Sequence, residues 1–201
     1  MSKIKILKSA PGYDLAASGY DKKEKYLNSF EQNKFLPLLG EIKNKKILDV
    51  GAGTGRLSLM LSKAGAEVVA LDLSDQMLKI LKNKDKKIET IIGDAENIPF
   101  EDNTFDIVTA AFLVVHLKDP STFFDEAYRV LKDGGILAFS NINQKEPPEV
   151  QTAEGKIKIE SFYHRPEKII EQLENLAFQV EKNVLVYEKN IWINQLIIVR
   201  K

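Results

Sequence analysis

The stretch ILDVGAGTGR, residues 47–56, carries the pattern that best predicts the fold of this chain. Its first half is a short apolar run, and its second half carries glycines at positions 51, 53 and 55. Residues 57–64 then place apolar side chains at helical spacing. The pattern predicts a strand, a glycine-rich turn and a helix. Because glycine lacks a Cβ and tolerates positive φ, such a turn lets a ligand approach the backbone and the free N–H groups of the helix start.

The glycine spacing differs from that of a dinucleotide-binding turn. The G-x-G-x-x-G fingerprint requires its third glycine three residues after the second. Here Gly55 follows Gly53 by two residues, and position 56 is Arg. A pyrophosphate-binding turn, and with it a nicotinamide dehydrogenase, is therefore disfavoured. A tight turn that binds no ligand is the structural alternative.

Composition limits the classes of protein. The chain has 201 residues, 44% hydrophobic and 29% charged, which is typical of a soluble domain with a substantial core. Lys+Arg and Asp+Glu are equal at 29 each, so the basic excess needed for general nucleic-acid binding is missing. With no cysteine and two histidines, we expect neither disulfide nor metal site. No signal-peptide or membrane-spanning pattern is present, so we expect a cytoplasmic protein.

Strands and helices alternate from residue 46 onward, which predicts a parallel sheet with helices on both faces. The predicted strands lie at 47–50, 67–71, 88–92, 105–109 and 136–140, and the predicted helices at 74–84 and 120–131 and from 166 onward. Ser74 is the predicted N-cap of its helix. Two terminal β-rich runs, 178–187 and 191–200, predict a hairpin, so at least one of these strands is antiparallel to the others.

The N-terminal part is less regular. Residues 4–7 predict a short strand, Pro11-Gly12 predicts a turn, and residues 20–39 predict a helix that ends at Gly40. We interpret residues 1–201 as one domain with a core at 40–201. Residues 1–39 then form either a lid over a ligand crevice or a segment that only packs against the core.

Three features follow the carboxyl ends of predicted strands: the glycine turn, Asp72 and Asp94. In an open parallel sheet, ligands bind at these ends, where the strand order reverses. Asp72 lies 21 residues beyond Gly51, about where an acidic residue binds a ribose diol. Each Asp alone could be a helix cap or a turn residue. Together the three features predict a cofactor site.

Four stretches, in order, resemble the motifs of class I S-adenosylmethionine-dependent methyltransferases, in particular the small-molecule branch of ubiquinone and menaquinone methyltransferases. They are ILDVGAGTGR, VVALDLS, GDAENIPFEDNTFDIV and RVLKDGGILAFS. The resemblance covers residues 40–140. It implies an α/β Rossmann-like three-layer sandwich whose seven-stranded, mostly parallel sheet has an antiparallel C-terminal strand. It also implies S-adenosyl-L-methionine as cofactor and methyl transfer to a small-molecule acceptor.

The resemblance further implies roles for individual residues. The glycines border the methionine part of the cofactor, and Asp49 orients their loop. Asp72 accepts hydrogen bonds from the ribose, Asp94 binds the adenine amino group, and the Ala95 N–H meets a ring nitrogen. Leu73 and Ile98 either sandwich the adenine or belong to the core. The implied cofactor-binding residues are Asp49, Gly51, Ala52, Gly53, Gly55, Asp72, Leu73, Asp94 and Ala95.

Methyl transfer is an in-line displacement that needs a base only when the acceptor is protonated. His116 is the candidate base, because the pKa of histidine suits proton transfer near neutrality; packing or helix capping is the alternative. Tyr13, Tyr20 and His164 are candidate acceptor contacts, with packing or solvent exposure as their alternatives. Residues 109–112, TAAF, lack the Asn/Asp-Pro-Pro-Tyr/Phe motif of related enzymes, so nucleobase and glutamine methylation are disfavoured.

The competing interpretation is a cofactor-binding accessory or regulatory protein without turnover. In either case we expect a monomer or homodimer with no nucleic-acid or membrane partner. The acceptor pocket is expected from residues 1–30 and 141–165, whose sequence does not identify the acceptor.

Overall fold

The computed structural model describes residues 4–201, so the first three residues of the predicted lid lie outside the described residues. The strands are β1 (Ile6–Leu7), β2 (Lys46–Val50), β3 (Glu67–Asp72), β4 (Glu89–Ile92), β5 (Phe105–Ala110), β6 (Leu131–Ile142), β7 (Glu149–Thr152), β8 (Gly155–Ile159), β9 (Gln179–Glu188) and β10 (Ile191–Arg200). The α-helices are α1 (Ser9–Tyr20), α2 (Glu24–Glu31), α3 (Phe35–Leu38), α4 (Arg56–Lys63), α5 (Asp75–Lys84), α6 (Ser121–Val130) and α7 (Pro166–Asn175). Short 3-10 helices lie at Asp21–Lys23 and Val114–His116.

The central sheet has seven strands in the order β4-β3-β2-β5-β6-β10-β9. Strands β2 to β6 pair in parallel, and β10 pairs antiparallel with both β6 and β9. The chain moves outward from β2 to β4 and then returns to place β5 on the other side of β2. The strand order therefore reverses between β2 and β5, which positions a ligand crevice at their carboxyl ends. This topology confirms the predicted fold class.

Successive residues of the central strands enter two separate cores. In β3, Val68 and Ala70 belong to one hydrophobic cluster, and Val69 and Leu71 belong to the other. This alternation follows from the two-residue period of a strand. Helices α3, α4 and α5 pack on the first cluster, and helices α6 and α7 pack on the second. The result is the predicted three-layer arrangement, helices–sheet–helices.

The terminal hairpin is confirmed. Lys189 and Asn190 connect β9 to β10 with φ of 47° and 66°. Positive φ at both central residues is the geometry of the tight turn that matches strand twist. The carboxyl-terminal half of β10 is almost completely buried between β6 and β9, which explains its apolar sequence LIIV.

The predicted turn at Pro11-Gly12 is wrong, because both residues lie inside α1. Proline is tolerated in the first turn of a helix, where its missing N–H leaves no partner unsatisfied. A Cβ on Gly12 would lie 3.0 Å from Cγ1 of Ile159, so this glycine allows α1 to pack closely on β8. The predicted continuous helix 20–39 is instead interrupted after α2, where Gln32 and Asn33 have positive φ.

Two further differences concern β6 and the segment after it. Asp133-Gly134-Gly135, which the sequence predicts as a turn between the helix at 120–131 and the strand at 136–140, lies within β6, where the register shifts between the pairs Phe105–Leu131 and Ile107–Ile136. The polar segment with Pro147-Pro148, predicted as a loop before the helix at 166, contains an unpredicted hairpin, β7–β8, and β1 pairs in parallel with β8. The resulting sheet, β1-β8-β7, packs against α1. Its partners are distant in sequence, which is why local patterns do not indicate it.

Candidate active site

A crevice opens at the carboxyl ends of β2 to β5 and encloses about 730 Å³ of space, including its mouth. Helix α1 covers it from above through Ser9 and Ala10. Of the residues singled out from the sequence, those that line it are Tyr13, Tyr20, Gly51, Gly53, Asp72, Leu73, Asp94, Ala95 and His116.

The glycine turn has the backbone that its sequence predicts. Gly51 has a φ of 70°, and Gly55 has a φ of 89°. An added Cβ would lie 3.1 Å from Leu113 at Gly51 and 2.2 Å from Leu81 at Gly55. Gly51 therefore lets the loop approach the crevice wall, whereas Gly55 lets α4 begin close to α5.

Asp72 joins the glycine turn to the start of α5. Its Oδ2 accepts a hydrogen bond from the Gly53 N–H at 2.8 Å, and its Oδ1 accepts one from the Ser74 N–H at 2.8 Å. Burial raises the pKa of this carboxyl, and the two N–H donors oppose that shift. Ser74 in turn accepts a hydrogen bond from the Met77 N–H at 3.2 Å, which confirms the predicted N-cap.

Asp49 lies beneath the glycine turn and is 1% exposed. The Ser58 hydroxyl donates to its Oδ2 at 2.5 Å, and the Thr109 hydroxyl donates to its Oδ1 at 2.8 Å. Burial raises the pKa of Asp49 to about 6. Asp49 and Ala52 line a smaller recess under the turn and not the main crevice. These positions allow Asp49 to orient the loop from below.

The loop after β4 closes the opposite end of the crevice. Asp94 accepts a hydrogen bond from the Glu96 N–H at 2.9 Å, which folds the loop back on itself. Ala95 is 5% exposed and borders the crevice. Of the two candidate adenine contacts, Leu73 is 45% exposed and lines the crevice, whereas Ile98 is 2% exposed and belongs to the core.

A second cavity of about 1,040 Å³ adjoins the first and shares four of its lining residues. The shared residues are Tyr13, Tyr20, Phe112 and His116. Aromatic and aliphatic side chains from α2, β6 and β7 line one part of it: Tyr26, Leu27, Phe30, Ile142 and Val150. Polar side chains line another part: Lys23, Gln144, Glu146 and Glu149. We call it the acceptor chamber. Its apolar wall suits an apolar small molecule.

Tyr13 and His116 form a hydrogen-bonded pair at the junction of the two cavities. The Tyr13 Oη lies 2.7 Å from His116 Nε2, and His116 Nδ1 lies 2.9 Å from the Glu160 carbonyl oxygen. Burial raises the pKa of Tyr13 well above its usual value, and the nearby Tyr20 adds to this. Burial also lowers the pKa of His116, against the opposing effect of the Glu160 carbonyl.

His164 lies elsewhere. Its Nε2 is 2.9 Å from the Leu117 carbonyl oxygen, and it lines neither the crevice nor the acceptor chamber.

Arg56, at the start of α4, donates two hydrogen bonds to the Glu31 carboxylate, at 2.7 and 2.9 Å. This buried ion pair ties α2 to the helix that follows the glycine turn.

Sequence reasoning missed two residues of the site. Phe112 adopts a φ of 62° and is held by a 2.8 Å hydrogen bond from its N–H to the Ser140 hydroxyl. Asp14 accepts a 2.5 Å hydrogen bond from Ser74 and so ties α1 to α5. Asp14 belongs to the first of two Tyr-Asp pairs in the N-terminal segment, which is the one available signal. Phe112 carries no local signal, because its conformation depends on β6.

Comparisons with known proteins agree with this geometry. A methyltransferase domain model matches residues 48–139. The demethylmenaquinone methyltransferase of Thermotoga maritima is 34% identical over 157 residues, which are 75% of this chain and 66% of that protein. The demethylmenaquinone methyltransferase of Renibacterium salmoninarum is 36% identical over 135 residues, 65% of this chain and 57% of that protein. The chain spans between 41% and 66% of the length of such curated relatives.

Solved structures share the fold. An S-adenosylmethionine-dependent methyltransferase from Aquifex aeolicus superposes with a TM-score of 0.71 at 23% identity, covering 96% of this chain and 99% of that one. One from Mesorhizobium loti gives a TM-score of 0.73 at 19% identity, covering 87% and 100%.

The strand order, the glycine turn, the strand-end aspartates and these matches together show that the chain belongs to the class I S-adenosylmethionine-dependent methyltransferases. Membership implies S-adenosyl-L-methionine as cofactor, and the crevice fits it. The turn exposes backbone at one end, Asp72 stands at the middle, and Asp94 and Ala95 border the other end. Within residues 4–201 no helix is long and apolar enough to cross a membrane, and no group of three or more metal-ligating side chains occurs.

Proposed function

We propose that this chain transfers the methyl group of S-adenosyl-L-methionine to a small-molecule acceptor with an apolar ring. The observation that carries the proposal is that the two cavities adjoin. The crevice with the cofactor features and the acceptor chamber share Tyr13, Tyr20, Phe112 and His116 as lining residues. A methyl group bound on one side of this junction can reach an acceptor bound on the other side.

The cofactor-binding residues in this proposal are Asp49, Gly51, Ala52, Gly53, Gly55, Asp72, Leu73, Asp94 and Ala95. The main crevice accommodates the ribose at Asp72 and the adenine at Asp94 and Ala95. Asp49 and Gly55 support the turn without facing the main crevice. Because Asp72 already holds the Gly53 N–H, binding of the ribose and closure of the turn depend on one carboxylate.

When bound, S-adenosyl-L-methionine supplies an electrophilic methyl group on a sulfonium. The residues of this chain then have to align the acceptor for in-line displacement and exclude water from the junction. Helix α1 and the ring of Phe112 enclose the junction. A protonated acceptor must also lose a proton, for which His116 is the final base, and Tyr13 and Tyr20 contact the acceptor. His164 is a poorer candidate, since it lies outside both cavities.

The acceptor class follows from the chamber and from the relatives. The rings of Tyr13, Tyr20, Tyr26, Phe30 and Phe112 line the chamber. Within the described residues no group hydrogen-bonds the buried Nε2 of Gln144, which also lines it. An apolar ring that bears an oxygen would satisfy both features. Since the curated relatives are demethylmenaquinone methyltransferases, a reduced naphthoquinone is the first acceptor to test.

We further propose that residues 1–201 act as one domain, with residues 1–39 as a lid on the core at 40–201. Support comes from α1, which contributes Tyr13 and Tyr20 to the crevice and is tied to α5 through Asp14 and Ser74. A cytoplasmic location and a monomeric or homodimeric state remain predictions from the sequence.

Calorimetric titration with S-adenosylmethionine, S-adenosylhomocysteine and NAD tests the cofactor. We expect micromolar binding of the first two and none of NAD. Transfer of a radiolabelled methyl group to a reduced, short-chain demethylnaphthoquinone then tests the acceptor class. Cofactor binding without transfer to any ring-bearing acceptor would favour the accessory protein without turnover. Absence of cofactor binding at millimolar concentration would contradict the proposal.

A further inference from the structure

We propose that Tyr13 is the catalytic residue that takes the proton of the acceptor, and that His116 is a positioning residue that acts through Tyr13. The inference rests on the proposed function and deepens it. It places Tyr13 between the acceptor and His116, so that the acceptor gives its proton to Tyr13 and Tyr13 gives its own proton to His116. The Glu160 carbonyl sets the tautomer of His116.

The hydrogen bonds around His116 have one consistent direction. A backbone carbonyl can only accept, so the 2.9 Å contact with Glu160 requires a proton on His116 Nδ1. The buried ring is neutral near pH 7, because burial lowers the pKa of His116. A neutral imidazole with a proton on Nδ1 has a lone pair on Nε2. The Tyr13 hydroxyl, at 2.7 Å, therefore donates to His116 Nε2.

This arrangement leaves His116 with no free nitrogen. One ring nitrogen faces Glu160 and the other faces Tyr13, so an acceptor molecule cannot reach His116 without breaking the pair. The Tyr13 oxygen keeps its own lone pairs after donating its proton. It is thus the atom of the pair that can take a proton from an acceptor in the chamber.

The pair lies where both cavities meet. Tyr13 and His116 line the crevice and the acceptor chamber alike. The Asp, Glu and Lys side chains that line the two cavities are Asp72 and Asp94 in the crevice, and Lys23, Glu146 and Glu149 in the chamber. The Tyr20 ring packs edge-on against Tyr13, with centroids 5.6 Å apart. In the described part of the chain no carboxylate hydrogen-bonds His116. The hydrogen-bond partner of its Nε2 is Tyr13.

Residues from three separate elements hold Tyr13 and His116 in position. Tyr13 comes from α1, His116 from the 3-10 helix after β5, and Glu160 from the residue after β8. The adjacent Gly12 allows α1 to pack on Ile159, the last residue of β8, at a Cβ-to-Cγ1 distance of 3.0 Å. A backbone hydrogen bond of 2.7 Å from the Phe162 N–H to the Val115 carbonyl ties the segment after β8 to the 3-10 helix. The base is therefore complete only when α1 is closed over the site.

The proton step balances within these groups. The acceptor O–H or acidic C–H bond breaks and its proton bonds to Tyr13 Oη, while the original Tyr13 proton moves to His116 Nε2. The electron pair left on the acceptor forms the bond to the methyl group, and the sulfonium carbon–sulfur bond breaks with its electrons on sulfur. His116 ends as an imidazolium and returns its proton to solvent when α1 opens. Tyr13 remains a neutral phenol throughout, which suits its raised pKa.

Imidazole nitrogen NMR tests the resting state without any acceptor. The chain has only two histidines, so His164→Gln assigns the remaining signal to His116. We expect the Nδ1–H tautomer in the wild-type protein. In Tyr13→Phe we expect the pKa of His116 to rise, because the donor that favours its neutral form is gone. Tyr128→Phe, on α6 and remote from both cavities, should leave this pKa unchanged. An Nε2–H tautomer, or a His116 pKa unaffected by Tyr13→Phe, would overturn the relay.

Single-turnover methyl transfer tests whether the Tyr13–His116 relay takes part in the reaction. We expect Tyr13→Phe to lower the rate by roughly 10²- to 10³-fold while the dissociation constant of S-adenosylmethionine changes little. His116→Gln should have a similar effect, and the double variant should lose no more than either single variant, because the two residues act as a unit. Additive losses, or a Tyr13→Phe rate equal to wild type, would contradict the relay.

The two readouts separate this inference from the proposed function. If the protein binds the cofactor and methylates no acceptor, the proposed function fails whatever the tautomer of His116. If methylation occurs and the NMR or the double variant gives the contrary result, only the relay fails. The design also recognises a pure packing role for Tyr13. In that case Tyr13→Phe would lower the melting temperature, but the rate losses of Tyr13→Phe and His116→Gln would be independent of each other.

Discussion

The two sides of the active site are built in different ways. The proposed cofactor side has backbone N–H groups and aspartates between residues 49 and 95, all at the ends of adjacent parallel strands. The proposed acceptor side has aromatic and aliphatic side chains from α1, α2, β6 and β7, which are far apart in sequence. Backbone geometry constrains the first side residue by residue. Packing between distant segments determines the second side.

The largest effect that separates the two sides concerns Gly55. We expect Gly55→Ala to lower the free energy of unfolding by about 3 kcal/mol, from a strained positive φ and from overpacking against Leu81. Gly40→Ala is the control, since Gly40 has a φ of 73° with open space around its Cα. That variant should lose about 1 kcal/mol. Urea denaturation measures both, and equal losses would mean that Leu81 moves aside without cost.

The next effect concerns Asp72, whose carboxylate accepts a hydrogen bond from the glycine turn and is expected to accept hydrogen bonds from the ribose as well. Asp72→Ala should weaken S-adenosylmethionine binding by roughly 1.5–3 kcal/mol, or about 10- to 100-fold in the dissociation constant. Asp75→Ala, three residues on, removes a half-exposed carboxylate paired with Lys79 and should change binding less than twofold. Calorimetry measures both constants. An Asp72→Ala protein with wild-type affinity would remove Asp72 from the cofactor site.

The third effect is a pH dependence confined to the cofactor side. The pKa of Asp49 is about 6 in the folded protein and near 4 in an unfolded chain. Between these values the folded state binds more protons, so Asp49 makes the protein less stable as pH rises from about 4 to 6. Asp49→Asn should remove this loss, about 3 kcal/mol above pH 6.

Denaturation of wild type and Asp49→Asn at pH 4.5, 6 and 7.5 isolates this contribution, since the other titrating groups are common to both proteins. We expect the stability difference to grow in favour of Asp49→Asn with rising pH. Parallel curves would show that Ser58 and Thr109 fully compensate for the burial of the charge.

The smallest effect concerns the closure of α1 over both sides. Asp14→Ala removes the acceptor of the Ser74 hydroxyl hydrogen bond between α1 and α5. We expect the closed form to lose about 1 kcal/mol, seen as release of S-adenosylhomocysteine about fivefold faster and as faster amide exchange in α1. Asp14→Asn keeps an oxygen acceptor and should lie between Asp14→Ala and wild type. Identical release rates would mean that the packing of α1 on α5, β7 and β8 holds it without this hydrogen bond.

Most of the fold was predictable, because it is encoded in local periodicity. The apolar runs of β2, β3 and β5, the cap at Ser74 and the terminal hairpin all depend on neighbours within a few residues. The errors arose where a distant contact overrides a local preference. Pro11-Gly12 is helical because β8 receives α1 at Gly12, and β7–β8 pairs with β1 across some 150 residues of chain.

The glycine turn and the strand-end aspartates of the proposed cofactor side could be predicted from local sequence, because parallel strands bring their carboxyl ends to one edge of the sheet. The proposed acceptor side depends on tertiary contacts. The tertiary structure placed Tyr13 on His116, gave Phe112 its positive φ, and moved His164 and Ile98 away from the crevice. The physical reason is that side-chain packing between segments far apart in sequence leaves no periodic trace in either one.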